Sequence, residues 1–315
     1  MTTAFLFPGQ GSQTVGMGKA LAEANPAARA VFDEVDDALG EKLSSVIWNG
    51  PEEELTRTRN AQPALMAVSM AALQALRAEG VTVERHAAYV AGHSLGEYSA
   101  LAAAGSISVS DTARLLRIRG DAMQKAVPVG IGAMAALLGL DVEAAREIAA
   151  EAAGAGEVCQ VANDNASGQV VVSGHKAAVE RAIEIAKGRG ARRAMLLAVS
   201  APFHCELMIP AAEAMQEALS GASIQPPIVP LIANVRAAPA SDPAEIRRFL
   251  VEQVTATVRW RESMLWLGAN GVERLVEIGA GKILAGLAKR IVGNVPATSV
   301  GTPDEVRAIA AEMAI

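Results

Sequence analysis

A serine between two glycines is the first feature of this chain that could do chemistry. The segment GHSLG places Ser94 directly after a run of apolar residues and directly before an alanine-rich segment. The pattern Gly-x-Ser-x-Gly is typical of a sharp strand-to-helix turn that exposes the serine hydroxyl as a nucleophile. Free backbone N–H groups at the start of the following helix, that of Leu95 among them, could stabilise an oxyanion. An ordinary turn is the alternative, so a nucleophile requires a base elsewhere in the chain.

Four histidines are available as that base. His93 adjoins Ser94, and we expect its ring to point away from the serine, into packing or a hydrogen bond. His86 and His175 stand in polar segments that suit solvated side chains. His204, in the segment SAPFHCELM, lies between a predicted strand and a predicted helix, at the edge where α/β sheets bind ligands. Spacing alone does not decide whether His204 is the catalytic base or a histidine that merely begins a helix.

Two glycine-rich segments resemble phosphate-binding loops but lack their spacing. The segment PGQGSQ has no G-x-G-x-x-G pattern. It is either a plain turn or a loop in which the backbone N–H of Gln10 is a second oxyanion donor. The segment GAGKIL lacks the first glycine of a P-loop and the Ser or Thr after Lys282, which excludes that motif. The His, Cys, Asp and Glu residues show no metal-ligand spacing, so we expect no metal and no cofactor.

The composition is typical of a globular protein with a sizeable core. Hydrophobic residues make up 51% of the 315 residues and charged residues 20%, which argues against extended disorder. A net charge of −6 without a basic stripe argues against a nucleic-acid-binding protein. Two cysteines, Cys159 and Cys205, form no disulfide framework, and we find no signal peptide or membrane span. We therefore expect a cytoplasmic protein.

The order of the predicted elements divides the chain into two units. In residues 1–127 and 199–315, buried strands such as TAFLF and AAYVAG alternate with helices. This alternation predicts an α/β domain with a mostly parallel sheet and helices on both faces. In residues 128–198 the order is β-α-β-β-α-β, which is the ferredoxin-like arrangement. We therefore predict a large α/β domain with an inserted ferredoxin-like small domain.

Six motifs together resemble one known family. They occur in the order FLFPGQGSQ, AGHSLGEYSAL, RLLRIRGDAMQ, NDNASGQVVVSG, SAPFHCELM and VEIGAGKIL. In this order they resemble the malonyl-CoA:acyl carrier protein transacylases, the discrete acyltransferases of type II bacterial fatty acid synthesis. The resemblance runs from residue 4 to about residue 295, and it is specific because all six motifs are present. It implies a hydrolase-like α/β domain with a ferredoxin-like insertion, in agreement with the predicted elements.

The resemblance implies a catalytic role for each matching residue. Ser94 would take the malonyl group from coenzyme A, and His204 would be the general base and then the acid toward the leaving thiol. The backbone carbonyl of Gln253 would orient His204 in place of a carboxylate. The backbone N–H groups of Gln10 and Leu95 would form the oxyanion hole.

The resemblance also selects the residue that would bind the malonyl carboxylate. Arg114, Arg117 and Arg119 lie on one predicted helix, and spacing alone does not say which one faces the cleft. A guanidinium suits the role because its planar fork matches a carboxylate and it keeps its proton. The family pattern selects Arg119. We place Asn163 and His93 with Arg119 and Gln253 among the substrate-binding residues.

The implied partner is an acyl carrier protein. Such carriers are acidic, so we expect a basic docking patch, with Arg192, Arg193 and Lys289 as candidates and Arg290 beside them. Scattered surface charge is the alternative explanation of these residues. The family resemblance also leads us to expect a monomer that binds malonyl-CoA. The charge and the lack of a membrane span lead us to expect neither nucleic acid nor membrane as a partner.

The sequence thus predicts transfer of a malonyl group from malonyl-CoA to the phosphopantetheine thiol of an acyl carrier protein through a malonyl-serine intermediate. A serine esterase or thioesterase is one alternative, disfavoured because no triad acid is evident and because neutral acyl groups need no arginine. A non-catalytic scaffold that binds carrier protein is the other. The presence of a nucleophile, a base and a carboxylate-binding arginine disfavours it.

Overall fold

The computed structural model describes residues 1–314, and its larger sheet has six strands. Numbered along the chain and given in spatial order, they are β10 (Ala297–Val300), β9 (Arg274–Ile278), β1 (Thr3–Phe7), β2 (Tyr89–Gly92), β7 (Leu231–Ala233) and β8 (Ala238–Ala240). All neighbours are parallel except β7 and β8. In the central strand β1, all five residues are buried. Such a strand must be covered on both faces.

Helices cover both faces of this sheet. Along the chain the helices are α1 (Lys19–Ala24), α2 (Pro26–Leu39), α3 (Leu43–Asn49), α4 (Glu52–Thr56), α5 (Thr58–Ala78), α6 (Val83–His86), α7 (Gly96–Ala103), α8 (Val109–Ala126), α9 (Val142–Ala152), α10 (Lys176–Gly188), α11 (Ile209–Ser220), α12 (Pro243–Glu252), α13 (Trp260–Ala269), α14 (Ile283–Ile291) and α15 (Pro303–Met313). Alternate residues of β1 point to opposite faces. Phe5 and Phe7 pack in one core with α5 and α8, and Ala4 and Leu6 pack in a second core with α13 and α14.

The second sheet is antiparallel and has four strands. In spatial order they are β4 (Cys159–Ala166), β5 (Gln169–His175), β3 (Gly132–Leu138) and β6 (Arg193–Leu196). One face packs on α9 and α10 in a separate core. The chain order β3-α9-β4-β5-α10-β6 is the ferredoxin-like arrangement, so the predicted fold class is confirmed. All of these elements fall between residues 128 and 198, and the boundaries of that unit stay a prediction.

The β4 edge of the small sheet is joined to the segment between α12 and α13. The backbone N–H of Asp164 donates to the carbonyl of Val258 at 3.0 Å, and the N–H of Val258 donates to the carbonyl of Ala162 at 2.9 Å. Arg261 adds an ion pair to the buried Asp164 at 2.9 Å. These contacts hold the other face of the small sheet against the first core of the large sheet, which Met134, Ala162 and Val171 join. A cavity of about 430 Å³ lies between the two.

Several elements lie outside the predicted alternation. They are the short helices α3, α4 and α6, strand β8, and the C-terminal elements β10 and α15. The short helices span less than two turns, too little for an apolar period to be visible. Strand β8 has the sequence Ala-Pro-Ala, which lacks β-branched residues and includes a proline that only an edge strand tolerates. Among the described helices, none combines the length and the apolar character needed to cross a membrane.

Candidate active site

Ser94 lies on a tight turn between β2 and α7, with a left-handed backbone φ of 54°. Both flanking glycines are required there. A Cβ on Gly92 would lie 1.9 Å from the carbonyl oxygen of Gly96, and a Cβ on Gly96 would lie 2.2 Å from the carbonyl oxygen of Phe7. The side chain of Asn234 secures the turn, since it accepts from the N–H of Ser94 at 2.9 Å and donates to the carbonyl of Gly92 at 2.7 Å. The segment is therefore a nucleophile elbow.

His204 meets the serine in the arrangement of a general base. Its Nε2 lies 2.8 Å from Ser94 Oγ, and its Nδ1 lies 2.8 Å from the backbone carbonyl of Gln253. Because a carbonyl can only accept, Nδ1 carries the proton and the lone pair of Nε2 faces the serine hydroxyl. Burial, reinforced by the charge of Arg119, lowers the pKa of His204 to about 3. The imidazole is therefore neutral at physiological pH and able to take the serine proton.

Arg119 reaches the same hydroxyl from helix α8. Its NH2 group donates to Ser94 Oγ at 3.1 Å and to Gln253 Oε1 at 2.8 Å, and its NH1 group donates to Gln62 Oε1 at 2.7 Å. The guanidinium carbon stands 5.7 Å from the ring centroid of Tyr98. Arg119 is 1% exposed, and within residues 1–314 it forms no salt bridge with a carboxylate. A buried cation without a counter-ion, next to a nucleophile, suits an anionic substrate.

The other two arginines of the same helix are occupied elsewhere. Arg114 forms a salt bridge with Asp111 on the solvent-exposed side. Arg117 binds the carboxylate of Glu41 and the side-chain amide of an asparagine. The structure therefore directs only Arg119, of the three candidates, into the cavity that contains Ser94.

The two backbone groups expected as oxyanion donors also line this cavity. Neither the N–H of Gln10 nor that of Leu95 donates to an acceptor in the part of the chain that the structure describes. The Gln10 side chain accepts from Thr58 Oγ1 at 3.1 Å, and Thr58 Oγ1 accepts from Gln62 Nε2 at 2.9 Å. Because Gln62 also binds Arg119, one buried series of hydrogen bonds joins the loop of Gln10 to the guanidinium.

His93 and Asn163 both line the cavity. The Nε2 of His93 lies 2.8 Å from Asn165 Oδ1, and its ring lies 5.5 Å from that of Trp260. These contacts turn the imidazole away from Ser94, as expected. Asn163 stands on β4, where it forms a parallel bridge with Val258 of the segment between α12 and α13. Their substrate-binding roles stay a prediction.

The predicted docking residues lie on the surface, and none of them lines the cavity. Arg193 on β6 pairs with Leu138 on β3, and Leu138 pairs on its other side with Gln169 on β5. Gln169 lines the cavity and accepts from the guanidinium of Arg290 at 2.9 Å. Arg192 and Lys289 are the neighbours of these two arginines in the chain. All four cations are exposed, and none takes part in a salt bridge among the described residues.

Four residues that contribute to the site were not predicted from sequence. They are Thr58, Gln62, Glu97 and Asn234, all of them buried. None carries a local signature, since each touches the site through partners far away in the chain. No group of three or more His, Cys, Asp or Glu side chains in residues 1–314 is arranged to hold a metal ion.

Comparisons with known proteins agree with this geometry. A sequence model of the acyl transferase domain matches residues 4–302. The chain is 48% identical over 303 residues to a malonyl CoA-acyl carrier protein transacylase of Bacillus subtilis (strain 168), covering 96% of this chain and 94% of the relative. It is 45% identical over 305 residues to the protein of that name from Escherichia coli (strain K12), covering 97% of each.

Solved structures show the same relationship. The crystal structure of an acyl-carrier-protein S-malonyltransferase from Bartonella henselae superposes with a TM-score of 0.97 at 58% identity, over 100% of both chains. A malonyl-transacylase in complex with its type II PKS acyl-carrier protein superposes with a TM-score of 0.96 at 42% identity, over 99% of this chain and 100% of that one. The family resemblance of the six motifs is confirmed: this chain is an acyl transferase that belongs to the malonyl CoA-acyl carrier protein transacylases.

Proposed function

We propose that this protein transfers the malonyl group of malonyl-CoA to the phosphopantetheine thiol of an acyl carrier protein through a malonyl-serine ester. The observation that carries the proposal is the pairing of Arg119 with Ser94. A cation without a carboxylate partner lies 3.1 Å from the hydroxyl that would carry the acyl group. The names of the relatives support the same substrate and the same acceptor.

In the first half-reaction, Ser94 Oγ attacks the thioester carbonyl while its proton passes to Nε2 of His204. The tetrahedral oxyanion accepts hydrogen bonds from the N–H groups of Gln10 and Leu95. The C–S bond then breaks, and the coenzyme A sulfur takes the proton from His204. Throughout, the malonyl carboxylate accepts from the Arg119 guanidinium in place of the Ser94 hydroxyl, while the Gln253 oxygen keeps its own bond to that guanidinium.

In the second half-reaction, the same groups act in reverse. The carrier's phosphopantetheine thiol gives its proton to His204, and the resulting thiolate attacks the ester carbonyl. The C–O bond breaks, and Ser94 recovers its proton from the imidazolium. The scheme calls on no cofactor, because the base, the anion-binding groups and the nucleophile are all supplied by the chain.

We place the reaction in the cytoplasm, where the buried thiols of Cys159 and Cys205 remain reduced. We further propose that a monomer suffices, since one chain supplies the nucleophile, the base and the arginine. Docking of the carrier protein on Arg192, Arg193 and Lys289 belongs to the same proposal. Asn163 and His93 complete the wall along which the acyl group and its thiol enter.

Intact-mass analysis after brief exposure to malonyl-CoA tests the proposal. We expect a gain of one malonyl group in the wild type and none in Ser94→Ala. Ser99→Ala is the matched control, because Ser99 is a fully buried serine on the helix that follows the elbow and its hydroxyl lacks a partner within residues 1–314. Acylation of Ser94→Ala, or release of free malonate in place of malonyl-carrier when holo carrier protein is added, would contradict the proposal.

A further inference from the structure

Beneath the elbow lies a buried carboxylate that the reaction scheme does not use. Glu97, the second residue of α7, is 0% exposed. One of its oxygens accepts from the backbone N–H of Asn234 at 2.9 Å, and the other accepts from the side-chain amide of Gln253. Across the described chain, Glu97 has no salt bridge with an arginine or lysine. A buried carboxylate that is kept without a cationic partner is costly, so its contacts need an explanation.

One of those contacts leads to Gln253, which also bonds to Ser94, His204 and Arg119. Its amide nitrogen donates to the carbonyl of Ser94 at 3.0 Å and to Glu97. Its amide oxygen accepts from Arg119 at 2.8 Å, and its backbone carbonyl accepts from His204 at 2.8 Å. Gln253 is 0% exposed, so water cannot replace a lost partner.

The two ends of this amide are not interchangeable. The Glu97 carboxylate and the Ser94 carbonyl are both acceptors, so the nitrogen of Gln253 must face them. The oxygen is thereby left facing Arg119, which can only donate. Rotating the amide by half a turn would place an oxygen against two acceptors and a nitrogen against a guanidinium.

We propose that Glu97 is a positioning residue that fixes the orientation of the Gln253 amide and, through it, holds the Arg119 guanidinium ready for an acyl carboxylate. The role rests on the proposed function, since it concerns how that site selects an anionic acyl group. Glu97 touches no substrate, and it acts through two side chains that do the binding.

Loss of the negative charge would remove the constraint. A protonated Glu97, or a glutamine in its place, presents a donor toward the Gln253 nitrogen. Two donors would then face each other, and rotation of the Gln253 amide by half a turn would replace its nitrogen with its oxygen at that contact. The NH2 group of Arg119 would then face an amide nitrogen and lose one of its two acceptors, so the guanidinium would shift. Binding of a malonyl group would suffer, whereas an acetyl group, which has no carboxylate, would be affected far less.

The same reasoning predicts a dependence on pH. Burial raises the pKa of Glu97 to about 7, against the opposing effects of its hydrogen bonds and of Arg119. The charged or titratable groups that face it are Arg119 on α8 and Tyr98 on its own helix, and burial also raises the pKa of Tyr98. Neither changes its charge near neutral pH, so Glu97 is the group that titrates there. Preference for malonyl over acetyl groups should therefore rise with pH and level off above about 7.

The test compares Glu97→Gln with the wild type by single-turnover acylation of Ser94, using malonyl-CoA and acetyl-CoA from about pH 6 to about pH 8.5. Relative to the wild type at high pH, we expect the variant's malonyl-to-acetyl ratio of kcat/KM to fall by about 10-fold, the usual effect of one charge-assisted hydrogen bond. The loss should appear in the KM for malonyl-CoA, and the ratio should no longer change with pH.

Glu277→Gln is the matched control. Glu277 is also 0% exposed, and its carboxylate accepts from two backbone N–H groups of α14 at 3.2 and 2.8 Å. We expect this variant to be less stable but to keep the wild-type ratio and its pH dependence. Suppose that the wild type is acylated by malonyl-CoA but Glu97→Gln keeps the wild-type malonyl-to-acetyl ratio, or loses kcat/KM equally for both substrates. Either result would overturn the role of Glu97 and leave the proposed function standing. A wild type that gains no malonyl mass would overturn the proposed function as well.

The wild-type pH profile keeps the test decisive if Glu97→Gln does not fold. A ratio that stays constant from about pH 6 to about pH 8.5 would overturn the role of Glu97 without any variant.

Discussion

At the scale of the residue, the two groups that we propose exchange a proton both have a strained backbone. Ser94 and His204 have φ angles of 54° and 59°, and among residues 1–314 the other non-glycine residue with a positive φ is Ala237. Each such conformation costs on the order of 1–3 kcal/mol and persists when neighbouring contacts enforce it. Asn234 enforces it at the serine, and the Gln253 carbonyl holds the ring of His204. Strain and hydrogen bonding together bring a hydroxyl and an imidazole to 2.8 Å.

The neutral His204 should be visible in the acid stability of the protein. Its pKa is 6.5 when unfolded and about 3 when folded, so below pH 6.5 the unfolded state binds a proton that the folded state excludes. The stabilisation is complete above about 6.5 and is lost as the pH falls toward about 3.

Urea unfolding of the wild type and of His204→Gln, from neutral pH downward, measures this difference. We expect the unfolding midpoint of the wild type to fall more steeply with acid than that of the variant. Glu97 is present in both proteins, so its contribution to the pH dependence of stability cancels in the comparison. Parallel acid profiles would show that His204 titrates normally.

At the scale of the element, the sequence predicted the parts of the site that have a local sequence signature and missed the residues that have none. The elbow is visible because glycines at 92 and 96 bracket a serine between a strand and a helix. Asn234 secures that elbow across a separation of 140 positions, and Gln253 does so across 159. Such contacts depend on how β7 and α12 pack against α7, which no periodicity encodes. The family pattern supplied Gln253 and Arg119, and nothing local indicated Gln62 or Glu97.

Gly96→Ala should destabilise the protein through the elbow alone. Its added Cβ would lie 2.2 Å from the backbone carbonyl of Phe7 in the central strand, which cannot move without displacing the sheet. We expect a loss of roughly 3 kcal/mol in the free energy of unfolding, at the upper end for overpacking.

Gly286→Ala is the control for this substitution. Its Cβ meets no atom within 4 Å, and the change to alanine within helix α14 should stabilise by up to about 1 kcal/mol. Chemical denaturation of both variants measures the contrast. Equal stabilities would mean that the turn relaxes and that the glycine is not required.

At the scale of the whole molecule, the cavity exists because two sheets with separate cores meet at one edge. The serine, the base and the arginine come from the large sheet's side, and residues of β3, β4 and β5 form the opposite wall. The alternation of elements predicted both sheets. It could not predict their joint orientation, which depends on the hydrogen bonds of Ala162 and Asp164 with Val258 and on the ion pair of Arg261. Gln169, on the cavity wall, accepts from Arg290 of α14 and lies across β3 from Arg193 of β6, which places cations of both elements near the cavity.

That arrangement of charge gives the last prediction. Reversing Arg193 and Lys289 to glutamate should raise the KM for the acidic carrier protein by about 10-fold, because rim charges steer and orient a charged partner. Acylation of Ser94 by malonyl-CoA should be unchanged, since neither residue lines the cavity.

The control reverses Arg85 and Arg274, which change the net charge equally at the opposite, amino-terminal edge of the large sheet, beside Met1 and Thr3. Steady-state kinetics are measured at low and high salt. Because salt screens surface charges, high salt should erase the difference in carrier-protein KM between the docking variant and the wild type. Equal KM values for carrier protein in both double variants would place docking on another surface.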